Sequence, residues 1–163
     1  MNKKTTFIVH AAVISALYVV LTLIANALGL ANHAIQIRFS ESLTILPLFT
    51  PAAIPGLFIG CILANIFMGC AVWDVIFGSV ATLIGAIIAS KIKNKYLLPL
   101  PNVIANTIIV PFIIMWVYTE ESARTLPVFF GSMAGVLAGE IATSYILGIL
   151  LFIPLEKHKN IFK

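Results

Sequence analysis

Arg38, Glu41, Asn65, Asp74, Asn106 and Glu140 each interrupt an apolar stretch of this chain. Placing a charge or an amide in hydrocarbon is costly unless the group is paired or wet. Such residues in such surroundings point to a small-molecule site inside a helical membrane protein. Glu140 is the sharpest case, with VLAG before it, IATSYILG after it and no basic residue near in sequence. Carboxylates and amides beside one aromatic, Trp73, suit a flat, donor-rich, cationic ligand. A guanine-like edge offers an N–H and an adjacent NH2, and one carboxylate accepts both in bidentate fashion. Trp73 is placed to stack on a ring, and a second carboxylate to hold an ammonium tail. A vitamin with similar donors fits the same set.

Each residue also has a plainer role open to it. Asp74 suits the N-cap of a helix, and Glu41 a cap or a pair with Arg38. Asn65 and Asn106 suit interhelical hydrogen bonds. Trp73 suits the interfacial aromatic belt, and Arg38 an anchor at the headgroups.

The elements that position these groups follow from composition. The 163 residues are 61% hydrophobic and 10% charged, with a mean hydropathy of +1.09. A soluble domain carries roughly a quarter charged residues, so the solvent here is the bilayer. A span needs about 20 residues, which predicts one six-helix membrane domain over 1–163 and leaves no room for a soluble catalytic or nucleotide-binding domain. The apolar segments are Phe7–Gly29, Ser40–Phe49, Ala52–Gly69, Trp73–Ile92, Leu97–Tyr118 and Leu126–Pro154. The second makes only about 15 Å of helix, half a hydrocarbon core.

Charge parity keeps that short segment separate. Lys3/Lys4, Lys91/Lys93/Lys95 and Lys157/Lys159/Lys163 are basic clusters at span ends. The positive-inside rule puts all of them, and both termini, on the cytoplasmic side. An even number of crossings then separates each pair, and the apolar length from Phe7 to Ile92 is too great for two. Pro47, Pro51 and Pro55 are expected to break the inner half of the short segment into irregular backbone, tolerated at depth only inside protein or beside water. The linker Leu30–Phe39 lies outside, where the alternation of Ile35, Ile37 and Phe39 predicts an extended lid or short strand. Glu41 starts the short helix at the outer, wetter side, while Glu140 and Asn106 lie mid-membrane.

Small residues recur at helical spacing in Gly56/Gly60/Ala64, Ala81/Gly85/Ala89 and Gly131/Gly135/Gly139. Such spacing lets helix backbones approach closely in lipid, here inside the protein. Ala12 and Ala16 form a similar pair near the cytoplasmic end of the first helix, a face suited to docking another membrane subunit. Lys3 and Lys4 before an apolar run resemble a signal peptide, but the run is long and no A-x-A site follows, so a retained helix is expected. Cys61 and Cys70 lie about 13 Å apart along a helix axis, too far to pair with each other. The three histidines are scattered, so no metal or cofactor is expected.

The chain has no G-x-x-x-x-G-K-[ST], H-E-x-x-H or G-x-S-x-G run and no nucleic-acid-binding motif. An intramembrane enzyme is disfavoured because no nucleophile and base share one depth. A purely structural subunit is disfavoured by Glu140 and the other buried polar groups. Energy for uptake has to come from a partner or a gradient.

RFSESLTILPLFTPAAIPGLFIGCILANI followed by WDVIFGSVATLIGA resembles the QueT family, as do the later runs LPNVIANTIIVPFI and AGEIATSYILG. These are substrate-binding S components of energy-coupling factor (ECF) transporters. The resemblance covers essentially the whole chain and implies an all-α integral membrane fold of six transmembrane helices. It implies a queuosine precursor, a 7-deazaguanine, as ligand on the outer side. It also implies docking, through an A-x-x-x-A patch matching Ala12 and Ala16, on a transmembrane T subunit carrying two ATPases.

Overall fold

The computed structural model describes residues 2–30 and 37–158, which form helices joined by turns and short irregular connections, with no strand among them. Helix α1, Lys3–Ala27, is capped by Asn2, whose side chain accepts from the Lys4 amide at 3.3 Å. It ends at Gly29, where φ is 74°, a left-handed conformation open to glycine without strain. The expected lid falls largely on residues 31–36, outside the described residues, as do Lys159 and Lys163. On its flanks the Ile37 amide donates to the Leu30 carbonyl at 3.0 Å.

The short second element is a 3-10 helix, Phe39–Leu48. At about 2 Å per residue it spans roughly 20 Å rather than 15. The Ser42 hydroxyl donates to the Phe39 carbonyl at 2.7 Å, and that of Thr44 to the Glu41 carbonyl at 2.6 Å. These side chains take the carbonyl three residues back, and Pro47 supplies no N–H, so wider α-turns lose their advantage. Every residue from Ser40 to Pro47 is buried. Runs of 3-10 helix this long are uncommon, and this one is held by α1 and, from later in the chain, by the helices Val72–Ala89 and Gly148–Lys157 and the π-segment Ile141–Leu147. The proline break is narrower than the sequence predicts: Pro47 lies inside the 3-10 helix and Pro55 inside the next α-helix.

Helix α2 is Ala53–Phe67 and α3 is Val72–Ala89. Helix α4, Leu100–Ile113, runs on as a π-turn, Ile114–Tyr118. Helix α5, Leu126–Glu140, passes through a π-segment, Ile141–Leu147, into α6, Gly148–Lys157. Among the described residues four helical stretches are long and apolar enough to cross a membrane: Lys3–Ala27, Val72–Ala89, Leu100–Tyr118 and Leu126–Lys157. Ala53–Phe67 is a shorter apolar helix. Large apolar side chains point outward on each, among them Val13, Ile59, Ile84, Ile104 and Leu150. Contiguous apolar surface of this kind requires an apolar solvent.

The small-residue stripes divide into two kinds. A Cβ at Gly56 would lie 2.9 Å from the Ala11 carbonyl oxygen, and one at Gly60 2.7 Å from Tyr18 Cβ. That stripe is the α1–α2 contact, and Ala81/Gly85/Ala89 is likewise buried, against α4. On α5, Gly135 and Gly139 are buried, but Gly131, Ala134 and Ala138 are exposed, so only part of that stripe packs inside the protein. Ala12 and Ala16 are exposed on α1, beside a shallow groove against α2. Both cysteines are free, Cys61 buried and Cys70 half-buried.

Candidate functional site

The 3-10 helix brings Glu41 into the centre of the protein, and α5 brings Glu140 to meet it. They are 3% and 7% exposed. Glu41 is therefore no wetter than Glu140, contrary to its expected place near the outer surface. The reason is that the 3-10 helix is walled by other helices along its whole length.

Asn102, on the first turn of α4, joins the two carboxylates. Its Nδ2 lies 2.9 Å from Glu41 Oε2, 3.1 Å from Glu140 Oε2 and 3.0 Å from Ser144 Oγ. Its Oδ1 is buried without a hydrogen-bond partner and sits in the notch left by Gly85, where a Cβ would approach it to 2.8 Å. Glycine at 85 is what lets α4 come close enough to α3 for Asn102 to reach both acids. Tyr18, on α1, donates to Glu41 Oε1 at 2.5 Å. Asn106 donates to Glu140 Oε1 at 2.7 Å, and Ser144 to Glu140 Oε2 at 2.7 Å. The π-segment begins at the residue after Glu140, and such segments recur at functional sites.

A second polar layer adjoins the first. Arg38 Nη1 donates to Asn65 Oδ1 at 3.2 Å, and Asn65 Nδ2 to the Asp74 carbonyl at 3.4 Å. The Tyr118 hydroxyl donates to Asp74 Oδ2 at 3.1 Å and accepts from the Ala71 amide at 3.0 Å. Asp74 is the third residue of α3, whose N-cap is Ala71, so its side chain ties α3 to the end of α4 instead of capping. Arg38, Glu41, Asn106 and Glu140 share one small cavity of about 20 Å³.

Of the residues singled out in the sequence, Arg38, Glu41, Asn65, Asp74, Asn106 and Glu140 thus converge in two adjoining layers. Trp73 does not. It is 58% exposed and stacks on Phe77 with ring centroids 5.9 Å apart. Adjacent helical positions point about 100° apart, so burying Asp74 turns Trp73 outward, into an apolar crevice with Ile108, Phe112 and Trp116. Tyr18, Asn102, Ser144 and Tyr118 belong to the layers and are not among the residues expected from the sequence. Asn102 and Ser144 carried a usable signal, lying four residues from Asn106 and Glu140 and hence on the same helix faces. Tyr145, about one turn beyond Glu140, instead hydrogen-bonds the Tyr96 carbonyl.

An all-helical chain with apolar outer faces and a buried polar centre is a multi-pass membrane protein. A family profile described as the QueT transporter matches residues 8–157, and the chain belongs to that family. It is 34% identical over 101 residues to the Queuosine precursor transporter QueT of Lactococcus lactis subsp. cremoris (strain MG1363). That alignment covers 59% of each chain, so this protein spans about three-fifths of the length of the curated relative it matches. No solved structure matches the chain.

Proposed function

We propose that this protein is the substrate-binding S component of an energy-coupling factor transporter and captures a 7-deazaguanine queuosine precursor on the outer side of the cell membrane. The observation that carries the reading is the meeting of Glu41 and Glu140, from separate helices, on one buried cavity with Arg38. An ionised carboxylate has about four acceptor sites. Among the described residues Glu41 receives two donors and Glu140 three. Acceptor capacity is therefore left for the N–H and NH2 of a guanine-like edge. The printed name of the relative from Lactococcus points to the same ligand class. The cavity has room for a water rather than a bicyclic ring, so entry of the ligand requires the side chains around it to part.

Both termini lie in the cytoplasm in this reading, with the basic clusters at one face of the membrane. The Lys95 ammonium lies 5.9 Å from the Phe152 ring of α6, which agrees with the second and third clusters being neighbours. The chain has no P-loop, so ATP hydrolysis belongs to two partner ATPases acting through a transmembrane T subunit. Ala12 and Ala16 are the face for that subunit, since they are exposed and small enough to admit a helix closely. Replacing both by tryptophan is expected to abolish uptake in cells while leaving ligand affinity of the purified chain unchanged. Equal loss of binding and uptake would assign the pair to internal packing.

The proposed ligand is tested by calorimetric titration of the purified chain with 7-deazaguanines, guanine and a set of vitamins. Selective binding of the deazaguanines is expected. Preference for a vitamin would keep the S-component reading and replace the ligand, and binding of none would remove the site.

A further inference from the structure

We infer that Arg38 determines specificity at this site by donating from its buried Nε to a carbonyl oxygen on the ligand ring, selecting oxo-bearing heterocycles over their amino counterparts. The inference rests on the reading of the cavity as a ligand site and narrows the class of ligand it takes.

Arg38 stands at the start of the 3-10 helix and lines the cavity opposite no carboxylate bond of its own that satisfies Nε: that atom is buried and has no hydrogen-bond partner among the described residues. The side chain is nonetheless fixed. Nη1 is held by Asn65 Oδ1 at 3.2 Å, and Asn65 is held in turn by the Asp74 carbonyl. A guanidinium carries five N–H donors in a rigid fork and no acceptor. Holding one nitrogen therefore aims the rest. A buried donor without a partner is unfavourable and is retained where something else fills it.

Of the other donors on the cavity, the Thr82 hydroxyl is committed and Asn106 Nδ2 gives one of its two hydrogens. Asn106 Nδ2 is turned to Glu140, and the Thr82 hydroxyl to the Gly78 carbonyl at 3.2 Å and Cys61 Sγ at 3.5 Å. Glu41 and Glu140 offer only acceptors when ionised. The cavity is thus bordered by acceptors from two acids and by a guanidinium whose buried Nε has no partner among the described residues. A lactam heterocycle is the complement, with N–H and NH2 for the acids and C=O for the guanidinium. Exchanging that oxygen for an amino group would set an NH2 against the guanidinium, leaving two donors face to face, and would also strip the proton from the neighbouring ring nitrogen, so the acids lose one donor as well. Sites built around a hydrogen bond reject ligands that cannot make it far more strongly than apolar pockets reject a change of size.

The test is calorimetric titration of the purified chain, wild type and Arg38→Met, with 7-deazaguanine and 7-deaza-2,6-diaminopurine. Wild type is expected to prefer the oxo ligand by at least about thirtyfold. Arg38→Met is expected to narrow that preference by weakening the oxo ligand about tenfold while leaving the diamino ligand unchanged, the remaining preference coming from the ring N–H held by the acids. Retained diamino binding also shows that the variant site is folded, and Arg38→Lys, which keeps the charge but not the fork, carries the same comparison if the methionine variant misfolds. A variant that weakens both ligands equally, or neither, overturns this inference alone, and wild type that binds 7-deazaguanine without preference overturns it together with the pairing of the acids to the ring N–H. Wild type that binds neither ligand overturns the ligand reading and this inference with it.

Discussion

Asn102→Leu is expected to cost about 3–5 kcal/mol of stability, the scale seen when one partner is stripped from a buried charged network. Leucine offers no donor, and the change leaves Glu41 Oε2 without its partner at 2.9 Å and Glu140 Oε2 without that at 3.1 Å. Two carboxylates then face each other in a space where water has little room. Tyr18, Asn106 and Ser144 continue to donate, which keeps the loss from being larger. The measurement is equilibrium unfolding of the purified protein in detergent beside wild type. A loss below about 1 kcal/mol, within the range of ordinary substitutions, would mean that Asn102 does not hold the acids together.

Glu140→Gln is expected to weaken 7-deazaguanine binding by at least about 2 kcal/mol, roughly thirtyfold at about 1.4 kcal/mol per decade. Both oxygens of Glu140 face donors: Asn106 Nδ2 on one side, Ser144 Oγ and Asn102 Nδ2 on the other. Either orientation of a glutamine amide therefore sets NH2 against a donor, besides withdrawing the charge that a cationic or donor-rich ligand seeks. Glu41→Gln is expected to cost less. Its Oε1 faces the Tyr18 hydroxyl, which can rotate to accept from the new NH2, while the amide oxygen keeps Asn102. Affinities are measured by calorimetry on protein whose unfolding confirms a native fold. Wild-type affinity in folded Glu140→Gln would reduce Glu140 to an interhelical bond.

The contrast between these two acids illustrates which features were legible in the sequence. Lysine parity, where hydropathy alone would merge it with the next, separated the short segment from its neighbours, and the observed boundaries differ from those expected by a few residues, as at Ala89 against Ile92. Glu140 was legible because nothing polar of opposite sign stands near it in sequence. Depth was less so. Glu41 reads as an outer, wetter residue because it begins a segment, yet it is buried by helices far from it in the chain. Trp73 and Asp74 are neighbours in sequence and opposites in orientation, and only packing decides which of the two turns inward. Asn102 falls inside the expected segment Leu97–Tyr118, but its role depends on the notch at Gly85 on another helix. Pair spacing along one helix was available to find it; contact across helices was not.

The buried 3-10 helix also bears on how the protein is made. Ten residues containing a glutamate are too few and too polar to partition into lipid by themselves as the chain emerges. Three of the walls that enclose this segment, α3, the π-segment Ile141–Leu147 and α6, are synthesised after it, and α6 is the last of the described helices. Tyr18 is on hand from the start to satisfy Glu41, but Asn102 and Ser144 arrive only with the later helices. Insertion therefore cannot proceed as a simple succession of independent spans. The segment is expected to reach its final depth only when α6 closes over it, which makes its insertion and the completion of the polar centre one late event.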